Sequence, residues 1–258
     1  MQESSSSQRL AAGPHGHFDV VVVGFGPAGA VLSGLLGRRG LRVAVLDRDH
    51  DVFGLPRAAH IDHTGLRTLQ ELGCLEACLP SMLPNPGLEL VTAEGETLVR
   101  VPGNQGSVSG LPASMYFHQP GFDRALRAQV SSLPNVSVFL GHEVLSIDAD
   151  ARGATVTADG AGGRRLSLGA AWVVGCDGAA SFTRESAGLE LEDLGFEQDY
   201  LVVDLKVAGA DGRLPRSAVS FCDPARPVTS IPMPGGRHRF EFQLLPGEDR
   251  DAIRLPPD

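Results

Sequence analysis

The chain lacks the signals that mark membrane, secreted and nucleic-acid-binding proteins. None of its apolar runs approaches the roughly 18 residues of a membrane helix. The N-terminal stretch MQESSSSQRLAAGPHGH has no apolar core of signal-peptide length. Residues 1–17 therefore read as a disordered tail, with His15 and His17 belonging to it. The net charge of −9 comes without any Lys/Arg cluster, which removes the electrostatic footprint of a nucleic-acid binder. Cysteine is scarce: Cys74, Cys78, Cys176 and Cys222 form no CxxC pair and no metal-type spacing. No metal is expected from them, and reduced thiols in a cytoplasmic protein are the plain reading. The 42% hydrophobic content is enough for a packed core and excludes general disorder.

Against these absences one stretch stands out. Val20–Val23 is a continuous β-branched run, the pattern of a strand buried on both faces. Gly24, Phe25, Gly26, Pro27, Ala28 and Gly29 follow, then a helical Ala/Leu/Gly segment, then a second apolar strand over 41–46 that ends at Asp47. In a dinucleotide-binding βαβ unit Gly24 permits the tight turn. Gly26 admits a pyrophosphate to the backbone, and Gly29 lets helix and strand pack closely. The helix N-terminus offers free N–H groups and a partial positive charge to phosphate. An acid at the end of the second strand accepts hydrogen bonds from a ribose hydroxyl. The motif by itself does not separate NAD from FAD.

Further along, residues 63–73 carry Leu66, Leu69 and Leu72 at helical spacing, and Gly73 suits a C-cap. Residues 88–101 alternate about Glu94-Gly95 as a hairpin, and the Gly/Ser-rich 102–112 reads as a mobile loop. A helix is expected over 123–133, opened by Gln119. Five short strands over 136–175, separated by turns such as Asp159-Gly160, suggest an antiparallel meander running into Cys176-Asp177-Gly178. Beyond Gly188, four Pro-punctuated strands suggest a separate antiparallel sheet. The fold class is α/β, α+β overall: a Rossmann-like nucleotide domain with a β-meander plus an antiparallel-sheet domain. The expected division is a tail at 1–17, a discontinuous nucleotide domain at 18–85 and 113–195, and a second domain at 86–112 and 196–258.

Three features narrow the opening motif. Arg57 lies in LPRAAHIDHTGLRTLQELG, Gln119 opens QPGFDRALRAQV, and GCDGAASFTRESAGL carries Asp177-Gly178, Ser181 and Arg184. Together they resemble the single-component FAD-dependent aromatic hydroxylases, the para-hydroxybenzoate hydroxylase superfamily. The texts FHQPGFDRALRAQ, GFEQDYLVVDL and CDPARPVTSIPMPGGRHRFEFQLLPGE look like its 3-(3-hydroxyphenyl)propionate hydroxylase branch. The resemblance runs from Phe18 to the C-terminus.

The resemblance implies FAD as cofactor and NADPH or NADH as cosubstrate. It implies a small phenolic substrate hydroxylated with O2 through a flavin C4a-hydroperoxide, and a homodimer in the full-length form. Nucleic acid and membrane are not implied as partners. Gly24, Gly26, Pro27, Ala28 and Gly29 would take the FAD pyrophosphate, and Asp47 with Arg48 the adenosine ribose end. Arg57, Ala58 and Gln119 would take the ribityl-pyrophosphate side, Val144 the adenine, and Asp177 a ribose. Asp47 stands where the family more often has Glu. The family's Gly-Asp segment, which closes over the flavin, has no counterpart here, so an N-terminal fragment with an incomplete second domain is expected. The catalytic acid or base is unknown; His60 and His63, beside Arg57, are candidates because histidine titrates in the useful range. Helix-entry histidines bonded to backbone are the commoner case. Arg237 and Arg239 are candidates for a substrate carboxylate, set against solvated hairpin charges.

The alternatives are a non-catalytic flavin-fold module and another FAD oxidoreductase. A halogenase would show a Trp-x-Trp-x-Ile-Pro signature, and the one tryptophan, Trp172, is not in one.

Overall fold

The structure is a computed structural model that describes residues 16–103, 106–160, 162–207 and 214–248. The expected tail over 1–15 lies outside the described residues. In chain order the first elements are β1 (His17–Val23), α1 (Pro27–Arg38), β2 (Val43–Asp47), β3 (His60–Asp62), α2 (His63–Leu72) and α3 (Leu75–Cys78). Then come β4 (Met82–Pro84), β5 (Gly87–Val91), β6 (Thr97–Pro102), β7 (Ser114–Phe117) and α4 (Gln119–Ser131). The remainder are β8 (Val136–Leu140), β9 (Glu143–Asp150), β10 (Gly153–Gly160), β11 (Arg164–Gly175), α5 (Phe182–Ser186), β12 (Tyr200–Lys206), β13 (Ala218–Phe221), β14 (Val228–Met233) and β15 (Arg237–Gln243). These elements form two compact units, one within Met1–Gly54, Glu71–Cys74 and Asp123–Leu191, the other within Leu55–Gln70, Leu75–Phe122 and Glu192–Asp258.

The first unit holds a six-stranded sheet in the order β8-β2-β1-β11-β10-β9. β8, β2, β1 and β11 are mutually parallel, while β10 is antiparallel to both β11 and β9. β1 lies between two parallel neighbours, and Val20–Val23 are all buried, as a continuous β-branched run requires. One core gathers Val21, Val23, Ala44 and Leu46 with Val156, Ala158, Leu166 and Leu168 of the antiparallel strands. α1 buries the small residues Gly29, Ala30, Ser33, Gly34 and Gly37, a stripe that lets its backbone approach its neighbours closely.

The five-strand meander expected over 136–175 is corrected in two ways. β8 pairs in parallel with β2 rather than joining the meander. The last two expected strands are one 12-residue strand, β11, whose first part pairs with β10 and whose second part pairs with β1. His17, read as tail, is the first residue of β1 and pairs with Gly169.

The second unit holds a six-stranded sheet in the order β12-β15-β14-β13-β5-β6 and a three-stranded sheet, β3-β7-β4. The larger sheet is not wholly antiparallel, since β13 runs parallel to β5. Segments 55–70, 75–85 and 113–122, expected in the nucleotide domain, group with the second unit, because β7 pairs with both β3 and β4. Within the loop read as mobile, the described residues make an ordered turn: Gly106 bridges Pro112, and Ser107 Oγ donates to Leu111 O at 2.7 Å.

Candidate functional site

In the first unit the end of β1 is stitched to both neighbours. Gly24 N donates to Leu46 O and Cys176 N donates to Val23 O, each at 2.7 Å. Gly24 has φ 97°, and a Cβ there would strike the Cys176 carbonyl, so the Cys176-Asp177 backbone lies directly against the turn. A Cβ on Gly29 would strike the Gly24 carbonyl. Packing alone therefore demands these two glycines.

Gly26 is different. Its φ of −67° and ψ of −175° suit any residue, and a Cβ built on it meets nothing within 4 Å. It is the N-cap of α1, no side chain caps the helix, and Pro27 and Ala28 in the first turn are exposed. Nothing in the described chain uses the space beside Gly26. An uncapped helix start with open backbone donors suits an anion.

Asp47, at the end of β2, faces this turn. Its Oδ2 accepts from Phe25 N at 2.8 Å and from Arg127 Nη2 at 3.1 Å, and its Oδ1 accepts from Asp49 N at 3.0 Å. Arg48 is exposed. Val144, in β9, pairs with Ala158 and packs its side chain into the core. Asp177 is heavily engaged. Its Oδ1 accepts from Ser181 Oγ at 2.6 Å, and its Oδ2 accepts from Thr183 N at 2.9 Å and Thr183 Oγ1 at 3.1 Å. Burial pushes this carboxyl up, but the hydrogen bonds from Ser181 and Thr183 outweigh it and leave the pKa below the ordinary aspartate value. Ser181 in turn is the N-cap of α5, accepting from Arg184 N at 3.0 Å. Asp177 is thus an ionised acid with about one of its four lone-pair sites left.

In the second unit Gln119 Oε1 accepts from Arg57 N at 2.8 Å and Ala58 N at 2.9 Å. The same backbone is gripped from its carbonyl side. Arg239 Nη2 donates to Pro56 O at 2.6 Å, and Arg239 Nη1 donates to Arg57 O at 2.9 Å. Arg239 is fully buried, and its Nε and Nη2 form a bidentate pair with Asp204 at 2.9 and 3.0 Å. Asp204 stands directly opposite Arg239 in the β12–β15 register. The carboxylate-binding role weighed for Arg239 is therefore corrected, and so is the solvated-charge alternative: its guanidinium is spent inside the chain. Arg237 Nη1 lies 3.5 Å from Pro234 O.

The two candidate histidines are not brought together with a shared partner. His60, in β3, bonds through Nε2 to Ser114 Oγ, which also accepts from Asn85 Nδ2 at 2.7 Å. His63 opens α2, its backbone N donating to Ala113 O at 3.0 Å. Asp62 between them serves the helix start instead, accepting from Thr64 Oγ1 at 2.6 Å and Gly65 N at 2.9 Å. Tyr116 is buried: its hydroxyl donates to Gly87 O at 3.1 Å and accepts from Ala218 N at 3.0 Å, bridging the starts of β5 and β13. Burial holds its pKa above the ordinary phenol value.

A glycine turn that opens an uncapped helix between two parallel strands, with an acid at the second strand's end, defines a dinucleotide-binding protein. Comparison with known proteins makes the class particular. Residues 17–253 match the family model described as FAD binding domain, and the chain belongs to that family. It is 35% identical over 239 residues to a probable NADH-specific resorcinol 4-hydroxylase of Rhodococcus jostii, covering 92% of this chain and 45% of that protein. It is 32% identical over 238 residues to a 3-(3-hydroxy-phenyl)propionate/3-hydroxycinnamic acid hydroxylase of Paraburkholderia xenovorans, covering 92% of this chain and 38% of that protein. The chain thus spans less than half the length of these relatives. The fold matches p-nitrophenol 4-monooxygenase of Pseudomonas putida with a TM-score of 0.82 at 24% identity, over 91% of this chain and 60% of that one. The residues present fit FAD: the space beside Gly26 is the room a diphosphate needs, and the open α1 start supplies its donors.

Two participants escaped the sequence reading: Arg127, and Asp204 as the partner of Arg239. For Arg127 a signal existed. In α4 Asp123, Leu126, Arg127 and Val130 recur at helical spacing, which marks the inward face. For Arg239 the strand alternation of RHRFEFQ groups it with Arg237 and Glu241 on one face but gives no partner.

Proposed function

We propose that the protein of which this chain forms the FAD-binding part is a monooxygenase that hydroxylates a phenolic substrate with NAD(P)H and O2. The observation that carries the reading is the open room at Gly26 over an uncapped helix start, in a chain whose relatives are named resorcinol and 3-hydroxyphenylpropionate hydroxylases. When bound, FAD supplies the redox chemistry, hydride acceptance from the nicotinamide and O2 activation.

The chain's own residues bind and orient. Gly24, Gly26, Pro27, Ala28 and Gly29 hold the diphosphate at the start of α1. Asp47 and Arg48 serve the adenosine ribose end, Val144 backs the adenine, and Asp177 accepts from a ribose hydroxyl. Arg57, Ala58 and Gln119 are further FAD contacts, and Gln119 and Arg239 fix the backbone that carries Arg57. No acid or base is assigned among His60, His63 and the remaining groups. None of the helices among the described residues is long and apolar enough to cross a membrane. A cytoplasmic location and a homodimer belong to the same proposal.

The test is spectroscopic and kinetic. Purified protein mixed with FAD should gain bound flavin, and NADH oxidation should then accelerate on adding resorcinol or 3-(3-hydroxyphenyl)propionate, with matching O2 uptake. Flavin binding without stimulated NADH oxidation would favour a binding-only module. Folded protein that takes up no flavin would overturn the reading.

A further inference from the structure

Phe25, the residue between the first two turn glycines, is held on every side by one ion pair. Its N–H donates to Asp47 Oδ2 at 2.8 Å, and its carbonyl accepts from Arg127 Nε at 2.7 Å. Its ring lies under the Arg127 guanidinium, 5.0 Å from ring centroid to Cζ. Arg127 closes the circuit by donating from Nη2 to the same Asp47 oxygen at 3.1 Å. Both side chains are largely withdrawn from water, at 13% and 12% exposure, and Phe25 itself is 1% exposed.

This arrangement is costly for an ordinary structural contact. Arg127 Nη1 is buried without a hydrogen-bond partner among the described residues. An unsatisfied charged donor in the interior weighs against stability, and an apolar residue of similar size would avoid it. What the arginine achieves is orientation. With its amide and carbonyl both fixed, Phe25 cannot rotate its flanking peptide planes, and those planes lead directly into Gly26 and the first turn of α1. The same guanidinium fixes the Asp47 carboxylate. With three donors already on its oxygens, about one lone-pair site remains.

We propose that Arg127 is a positioning residue of the nucleotide site: it presets the Gly24–Gly29 turn and the free edge of the Asp47 carboxylate for the ADP half of the cofactor. The proposal rests on the FAD-binding reading above. Preorganisation of this kind appears in affinity, because an unset turn must be ordered at the moment of binding.

The experiment titrates the chain with FAD and separately with ADP, for the parent, Arg127→Lys, Arg127→Met and the double variant Asp47→Asn/Arg127→Met. Circular dichroism and the melting temperature without ligand are recorded for each. Arg127→Lys keeps a charge beside Asp47 but loses the fork that reaches Phe25 O and Asp47 together. It is the variant to read if Arg127→Met does not fold, and the double variant avoids stranding a buried carboxylate. Folded variants should bind both ligands about tenfold to a hundredfold more weakly than the parent, the equivalent of one charge-assisted hydrogen bond. A merely structural arginine would lower the melting temperature and leave the affinity of the folded fraction unchanged. Parent-like affinity for both ligands in folded Arg127→Lys overturns the proposal and leaves the FAD reading intact. A folded parent that binds neither FAD nor ADP overturns both.

Discussion

Arg239→Met is the perturbation whose outcome the structure determines most fully. Arg239 is 0% exposed, its partner Asp204 is 22% exposed, and four of its hydrogen bonds disappear together. Removing one member of a buried ion pair costs about 3–5 kcal/mol, because the other is left charged and unpaired. At about 2–4 °C per kcal/mol for a chain of this size, the unfolding transition of the second unit should fall by roughly 6–20 °C. Thermal melts followed by circular dichroism measure this. The double variant Asp204→Leu/Arg239→Met separates the pair from its second task. Replacing a buried pair by apolar residues is often neutral, so most of the lost stability should return. The donors to Pro56 O and Arg57 O do not return, so FAD affinity should stay depressed if Arg57 contacts FAD as proposed. A single variant that melts with the parent would refute the burial argument. A double variant that regains full FAD affinity would refute the proposed part of the Arg57 backbone in FAD binding.

Three further outcomes follow from individual contacts. Tyr116→Phe leaves Gly87 O and Ala218 N without their shared partner, so stability measured by denaturant unfolding should drop by about 1–3 kcal/mol; an unchanged midpoint would contradict the bridge. Asp177→Ala removes three hydrogen bonds around the start of α5, and a loss of at least about 1 kcal/mol in the same assay is expected. His238 is buried against Ser230, Nε2 to Oγ 2.7 Å, and burial holds its pKa below the ordinary histidine value. The unfolded state therefore binds its proton first, and the stability contribution, complete above about pH 6.5, is lost as the pH falls toward the depressed folded value. Melting temperatures between pH 7.5 and 5 should show this slope in the parent and lose it in His238→Gln.

What the sequence made legible was local. Val20–Val23, the glycine spacing, Asp47 and the Asp177-Gly178 step each carry their meaning in a few adjacent residues, and the structure puts Gly24 against Cys176 and Asp177. What it concealed depends on register. Asp204 and Arg239 are 35 residues apart and meet only because β12 and β15 pair with those two residues opposite. Arg127 lies on a helix whose spacing shows its inward face, but its partner Phe25 is 102 residues away and no local pattern names it. β11 shows a further limit: its sequence has a glycine where a turn is plausible, yet strand partners on both sides, β10 and β1, carry it through as one element.

The claim beneath everything else is that the open space at Gly26 is where a cofactor's diphosphate sits. Gly26→Val tests it cleanly, because the backbone there suits any residue and a Cβ meets nothing within 4 Å. Val is a poorer N-cap than Gly, so folding should lose no more than about 1–2 kcal/mol. FAD binding should collapse: blocking two N–H donors to phosphate removes about 3–6 kcal/mol, roughly a hundredfold to ten-thousandfold in affinity. The measurement is a flavin-fluorescence titration of the parent and Gly26→Val side by side, with matched melting curves. The account predicts a saturable parent and a folded, flavin-free variant; equal flavin binding by both would contradict it.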